Sequence, residues 1–597
     1  MLRRALLLTS LALLGLAGAA SARLVADPTD TTPIAGGPTA VTTTGPETTT
    51  GPVFSTTTAS TTVGTTTKTV TTNRVATTTT TSATTTTAMP KLTESASAST
   101  LVISGHGWGH AIGMAQWGAD GYARHGWDYR HILAHYYQGT TVAVGPSPTV
   151  RVLLVDGARR TALTSDSPWK VVDRAGTTVS LPAGTVKVAA DLVVSGQTLV
   201  SPLTFSPGAT PLRVGGAAYH GQLQVVSTGS KLQVVNTLGL ESYVLGVVGR
   251  EMPSSWPAAA LETQAVAARS YALAELENVV TARAYDLYND DRSQVYGGIG
   301  AESPSVTAAV HATARQVVLY NGKVATTYFS SSSGGRTVSA GEAWGKPIPY
   351  LVSVADPYDT LSPYHDWGPV LVDARKAAAA LKVPGALESL TLTPSPSGRV
   401  GSVNAVGTKG NVTLTAAAVR TALGLRSTWF SIGWLALTPP AVPLSYGGTA
   451  SLTGVARGVQ GVSLEAKGAD GTWQTVSPVT PAADGSFSVT IKPQATTLYR
   501  LAAGDIRAAL LNVAVAPLVS ASLGAGMVQG SMKPALSGAA VQIQRQDGVG
   551  WTTVATGTTD VSGAFAVSAA LSPGAYRVRC APGRGLSPGV SQPVLQT

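Results

Sequence analysis

The 597-residue chain has a single cysteine, Cys580. One thiol excludes an intramolecular disulfide and any cysteine-rich metal site. Cys580 alternates with Tyr576 and Val578, so it reads as a small buried hydrophobe of a strand with no catalytic role. Charge is scarce as well: Asp, Glu, Lys and Arg make up only 12% of the residues, which argues against a coiled coil or an acidic chain. Lys and Arg number 41 against 31 Asp and Glu, a net charge of +10 that favours anionic partners. No Lys/Arg run, zinc finger or aromatic RNA-binding signature is present, so nucleic acid is not expected among them. After the first 22 residues no segment is long and apolar enough to span a bilayer.

Residues 1–22 read as a secretory signal. Arg3 and Arg4 precede an apolar run from residue 5 to 17, and Ala20-Ser21-Ala22 suits cleavage before Arg23. Residues 23–100 are low in complexity and dominated by threonine; they bury too little surface to offset ordering entropy and read as a disordered linker. The expectation is an exported protein, associated with a cell wall or free outside the cell, with no stable membrane span once the signal is cut. For such a protein an anionic wall is a better-matched partner than nucleic acid.

The chain is organised around residues 240–275. Val244, Leu245, Val247 and Val248 read as a buried strand. Glu251 follows, then Met252-Pro253 and two serines that suit a helix cap before Pro257. From Ala258 the residues are strong helix formers, with Leu261, Ala265, Ala268, Ala272 and Leu276 on one stripe. Glu251 is thereby expected at a strand-to-helix junction. Gln264 lies at the edge of the stripe, where it could reach a cleft, and Arg269 lies off it, where it could serve only to anchor the fold.

Other stretches carry candidate ligand groups. Gly105, Gly107, Gly109 and Gly113 permit tight turns and close backbone approach. Among them Trp108 and Trp117 could stack on sugar rings, and His110 and Gln116 could hydrogen-bond to hydroxyl or acetamido groups. His106 and His110 lie four apart, but glycines surround them and no acid stands beside them, so a metal is not expected there. Residues 150–237 alternate as short strands broken by turns. The loop 331–337 offers hydroxyls and backbone N–H groups. Trp344 and Tyr350 read as packing residues. Beyond residue 438 two units repeat: Trp473 matches Trp551, Phe487 matches Phe565 and Tyr499 matches Tyr576. They read as two small all-β, Ig-like sandwiches that bind wall or partner, or act as spacers.

VLGVVGREMPSSWPAAALETQAVAARSYAL strongly resembles the core of the SpoIID/LytB family. GWGHAIGMAQWGA is similar to that family's glycine-rich GWGHG-x-GMSQWGA block, and SSSSGGRT to its Ser-x-Ser-Gly-Gly-x-Thr block. ALGLRSTWFSI, residues 422–432, is similar to the domain's C-terminal end. The resemblance implies a peptidoglycan lytic transglycosylase whose catalytic acid, the Glu of Glu-Met-Pro, is Glu251. It also implies that His110, Gln116, Trp117, Gln264, Arg269, Gln294, Tyr296, Ser331, Ser333, Gly334, Gly335 and Thr337 bind glycan. The partners implied are peptidoglycan strands and, through the family's enhancer name, a cell-wall amidase. Two departures stand out. The glycine-rich block precedes the Glu251 segment instead of following it. Where many members place Cys, His and Cys, this chain has Tyr288, Arg292 and Ser293, so no zinc and no cofactor are expected.

The reading is an α+β chain: signal 1–22, linker 23–100, a β-rich SpoIID-like domain with a central helix at 101–437, and sandwiches at 438–516 and 517–597. Two other functions stay open. One is a non-catalytic amidase enhancer that binds glycan, and the other a muramidase in which Asp286, Asp290 or Asp291 assists Glu251.

Overall fold

The computed structural model describes residues 98–277, 283–524 and 526–597. The expected signal and most of the expected linker lie outside them. The linker's last three residues do not: Ala98, Ser99 and Thr100 are buried and open the strand Ala98–His106.

A seven-stranded sheet forms the body of the first domain. Its order runs Leu287–Tyr288, Thr149–Ala158, Leu232–Gly239, Gln222–Ser227, Leu203–Ser206, Trp169–Val172 and Thr178–Leu181. Only the first pair is parallel. Alternation fixes which side chains enter the core: Val150 and Val152 on one strand, Leu232 and Val234 on the next, all fully buried.

Five helices share a core with this sheet: α1 (Gln116–Arg124), α2 (Tyr129–Tyr136), α3 (Leu240–Glu251), α4 (Ala258–Glu277) and α5 (Pro304–Ala312). Here the strand expected at 244–248 is overturned. Residues Leu240–Glu251 are helical, with Gly239 as N-cap. The buried positions Leu240, Tyr243, Val244, Val247 and Val248 recur at three and four, a helical period that outweighs the strand propensity of the valines. The single stripe expected on α4 is also too narrow. Most of the helix between Ala260 and Ala274 is buried all round, because α1, α2, α3, α5 and the strand Gln316–Tyr320 enclose it. Its many alanines allow that close approach.

The glycine-rich block closes back onto the end of the domain. Ala98–His106 runs antiparallel between Asp366–Asp373 and Trp429–Thr438. The strand is buried on both faces, in alternation. Leu101 and Ile103 enter a core with Trp367, Val403 and Phe430, while Ala98 and Val102 enter a second core with Leu464, Tyr499 and Leu501. The relocated block is therefore the spatial neighbour of the residues that it precedes by some 320 positions in sequence.

Trp429–Thr438 also pairs with Ala450–Arg457, so one five-stranded sheet runs on into the first repeat. That repeat sets this sheet against a second one carrying Ser463–Lys467, Trp473–Pro478 and Thr497–Ala503. The second repeat packs Leu518–Gly524, Met527–Lys533 and Ala564–Ser568 against Ala540–Asp547, Gly550–Thr558 and Gly574–Ala581. Cys580 is buried there, and burial pushes its thiol up to about 11. The described chain is β-rich with few helices, and none of its helices is long and apolar enough to cross a membrane.

Candidate active site around Glu251

Glu251 is the last residue of α3, and Met252 leaves the helix in an extended conformation. Its partly exposed carboxylate is held from two sides. Oε1 accepts the backbone N–H of Val295 at 2.9 Å, and Oε2 accepts the side-chain amide of Gln116 at 3.0 Å. Burial raises the Glu251 pKa above its ordinary value; the two donors pull the other way, and the exposed Asp291 adds a push upward. Burial wins.

Gln116 reaches this position because Met114–Ala115 pairs in parallel with Phe329–Ser330, which delivers the first residue of α1 beneath α3. The same amide stands 3.5 Å from Oε1 of Gln264 on α4. Gln264 is fully buried, and its Nε2 has no acceptor among the described residues. Glu251, Gln116 and Gln264 thus converge. Gln116 is a positioning group for the carboxylate here, a role the sequence reading gave to ligand.

Trp117 packs edge-on against Trp256 at 4.8 Å and remains partly exposed. A second aromatic group escaped the sequence reading. Gln264, Ala268, Tyr271 and Glu275 recur at four, three and four along α4 and so share one face. Tyr271 meets Tyr328 at 5.8 Å, Tyr328 meets Trp344 at 4.8 Å, and His110 stands 6.3 Å from each of the latter two rings. Trp344, read as a packing residue, is 47% exposed. Tyr350 is buried, as packing requires. Tyr271 lies about 10 Å along the helix axis from Gln264, roughly two sugar rings. The spacing on α4 was the available signal for this row.

His110 is neutral in this setting. Burial lowers its pKa to about 4, and its Nδ1 accepts the N–H of Ile112. His106 turns away to Asp366 at 2.6 Å, so the two histidines do not form a pair. Among the described residues no group of three His, Cys, Asp or Glu side chains is placed to hold a metal ion. In the 288–293 loop, Arg292 lies over the Tyr288 ring at 3.9 Å and the Ser293 hydroxyl accepts the N–H of Tyr288.

Several expected glycan contacts are spent inside the protein. Arg269 is fully buried, bound to Glu241 through Nη2 at 2.8 Å and to the carbonyl of Gln316. Gln294 bridges the Tyr243 hydroxyl and the Ala268 carbonyl, and the Tyr296 hydroxyl donates to Asn236. Both lie beneath Glu251 as support. In the serine loop, the Ser333 hydroxyl donates to Asp356, and the N–H groups of Ser333 and Gly334 donate to Asp359. Thr337 is buried against Val352 and Val354, and the Gly335 N–H returns to Ser333. The sequence reading overlooked these two aspartates, which take up the donors it had offered to a ligand. Of the loop positions, the Ser331 side chain stays partly exposed, while its carbonyl accepts the Trp117 N–H.

Residues 228–320, which hold α3, α4 and Glu251, match the family described as Stage II sporulation protein. The Stage II sporulation protein D of Bacillus subtilis is 34% identical over 191 residues, 30% of this chain and 54% of that protein. Over this region the chain is similar to the SpoIID/LytB family. The amidase enhancer of Bacillus subtilis is 38% identical to it over 114 residues, 19% of this chain and 15% of the enhancer. An uncharacterized protein of Brachyspira hyodysenteriae is 41% identical over 141 residues, 24% of this chain and 38% of that one. The chain spans about half or less of the length of these relatives. A segment of two fibronectin type-III domains from chicken tenascin covers 27% of this chain and 95% of its own, at 14% identity and a TM-score of 0.18, a likeness too low to bear on the fold.

Proposed function

We propose that this SpoIID-family protein is an exported peptidoglycan lytic transglycosylase that remodels the bacterial cell wall. The observation that carries the reading is the environment of Glu251: a carboxyl at the surface, raised in pKa by burial and clamped by Gln116 and Val295. A lytic transglycosylase works with one such group. The protonated acid gives its proton to the oxygen between MurNAc and GlcNAc, and that C1–O bond breaks. The resulting carboxylate takes the proton of the MurNAc C6 hydroxyl, whose oxygen bonds to C1 and closes a 1,6-anhydro ring. The acid is regenerated and no water is consumed. A raised pKa favours retention of that first proton.

The muramidase reading has less support. Asp286 is engaged by Arg151 and Asp290 by Arg292 at 2.7 Å, so of the three aspartates only Asp291 lacks an ion-pair partner among the described residues. The 38% identity to an amidase enhancer keeps the binding-module reading in play and motivates a wall amidase as partner.

The test is mass spectrometry of products from intact and from peptide-stripped glycan strands, with the full chain and its Glu251→Gln variant. Anhydro-ended fragments that vanish with the variant are the expected result. Reducing-end fragments would indicate the muramidase. Strand binding without fragments would indicate the enhancer.

A further inference from the structure

The two C-terminal repeats carry matching side chains on the outward face of one sheet, and they differ in the charges beside them. In the first repeat Arg500 lies 3.8 Å over the Trp473 ring and is bound at 2.7 Å by Glu465, its cross-strand neighbour. Arg507 approaches the same carboxylate at 3.9 Å. In the second repeat Arg577 lies 4.3 Å over the Trp551 ring, but its cross-strand neighbour is Gln544. A second cation, Arg579, stands opposite Gln542 where the first repeat has Ala502 opposite Ser463.

Both arginines of the second repeat therefore rest on amide oxygens, Arg577 Nε on Gln544 at 2.9 Å and Arg579 Nη1 on Gln542 at 3.0 Å. Among the described residues no carboxylate pairs with either, and the Nη groups of Arg577 have no acceptor. Two residues apart on a strand, the guanidinium groups share a face at a spacing of about 7 Å. Trp551 is partly exposed beside them, and Val590 and Leu595 are 51% and 76% exposed on the same face. The repeat as a whole carries five cations, Lys533, Arg545, Arg577, Arg579 and Arg584, against Asp547 and Asp560.

We propose that this outward face of the second repeat binds an anionic glycan, a polysaccharide bearing carboxylate or phosphate groups. The forked N–H donors of Arg577 and Arg579 take the anion. The indole and the two aliphatic side chains take the apolar C–H face of the sugar ring, and the partly exposed Gln542 amide offers a further hydrogen bond. The first repeat has the same frame but supplies its own anion in Glu465, so it does not bind. The site is remote in sequence from Glu251 and does not depend on its chemistry.

Surface plasmon resonance on the full chain tests this, with polygalacturonate and a phosphomannan as the anionic glycans. Dextran serves as the neutral glycan, inorganic polyphosphate as an anion without sugar, and an oligonucleotide as a competing polymer class. At least one anionic glycan should bind and dextran should not. The double substitution R577Q/R579Q should weaken binding by at least about tenfold. Trp551→Ala should weaken it severalfold, and Arg500→Gln should leave it unchanged. Glu465→Gln, which frees Arg500 beside Trp473, should raise total binding, a gain that loss of folding cannot mimic. Binding of neither glycan, an unaltered R577Q/R579Q or E465Q, an equal loss with Arg500→Gln, or tighter binding of polyphosphate or oligonucleotide would each overturn the proposal.

Discussion

The Gln116 amide donates to the carboxylate of Glu251 at 3.0 Å, across 135 residues of chain. A hydrogen bond to the ionised form stabilises that form, so Gln116 holds the Glu251 pKa below what burial alone would impose. Gln116→Leu removes that restraint. The alkaline limb of the pH–rate profile for glycan cleavage is expected to move up, with a roughly tenfold lower kcat from the freed rotamer. A profile with an unmoved alkaline limb would assign Gln116 to the substrate alone.

Asp356 carries a prediction about stability. Burial, reinforced by the charge of Asp359, raises its pKa from 3.8 to about 7. The folded protein then holds this proton more tightly than the unfolded chain. The resulting stability is fully present below about pH 4 and is lost as the pH rises through 7. Glu251, Glu262 and Glu275 are raised as well and slope the same way. His110 and His135, lowered by burial, slope the other way, so the test is a comparison: between pH 4 and pH 7.5 Asp356→Asn should lose less melting temperature, or gain more, than the parent protein.

Arg269 should prove structural. Its buried guanidinium pairs with Glu241, so Arg269→Met is expected to cost about 3 kcal/mol by denaturant unfolding. Adding Glu241→Gln should recover part of that loss, because the stranded charge is then gone. A stable Arg269→Met protein that fails to bind strands would restore a ligand role.

Gly113 marks the seam between the glycine-rich block and the 328–330 strand. Its φ is +69°, and an added Cβ would stand 2.2 Å from the Tyr328 carbonyl oxygen. Gly113→Ala should lower stability by about 2 kcal/mol and displace Gln116, so that activity falls along with the melting temperature.

Trp344 offers the complementary case. It is exposed beside Tyr328, so Trp344→Ala should leave the melting temperature unchanged while raising KM severalfold for long strands. An unchanged KM would remove the aromatic row from the glycan path.

Glu251 is a candidate acid on the strength of one short motif, since Glu-Met-Pro and the alanine-rich helix after it are local in sequence. The helix carrying it was misread although its period was present. A run of valines satisfies both a buried strand and a buried helix, and only the enclosing contacts of α4 and α5 settle which forms. The repeats were legible too, because Trp473 and Trp551, like Tyr499 and Tyr576, recur in step.

What the sequence determined by itself was local: the candidate acid, the glycines, the alanine-rich helix and the alternation of the strands. The tertiary structure decided which polar groups remain free. Hydroxyls and N–H groups of residues 332–334 looked available until Asp356 and Asp359, more than twenty residues on, consumed them. Arg577 was left with free donors because its cross-strand neighbour is Gln544, while the matching arginine meets Glu465. Hydrogen-bond satisfaction belongs to contacts in space, and a polar side chain's role follows from the partner that folding brings to it.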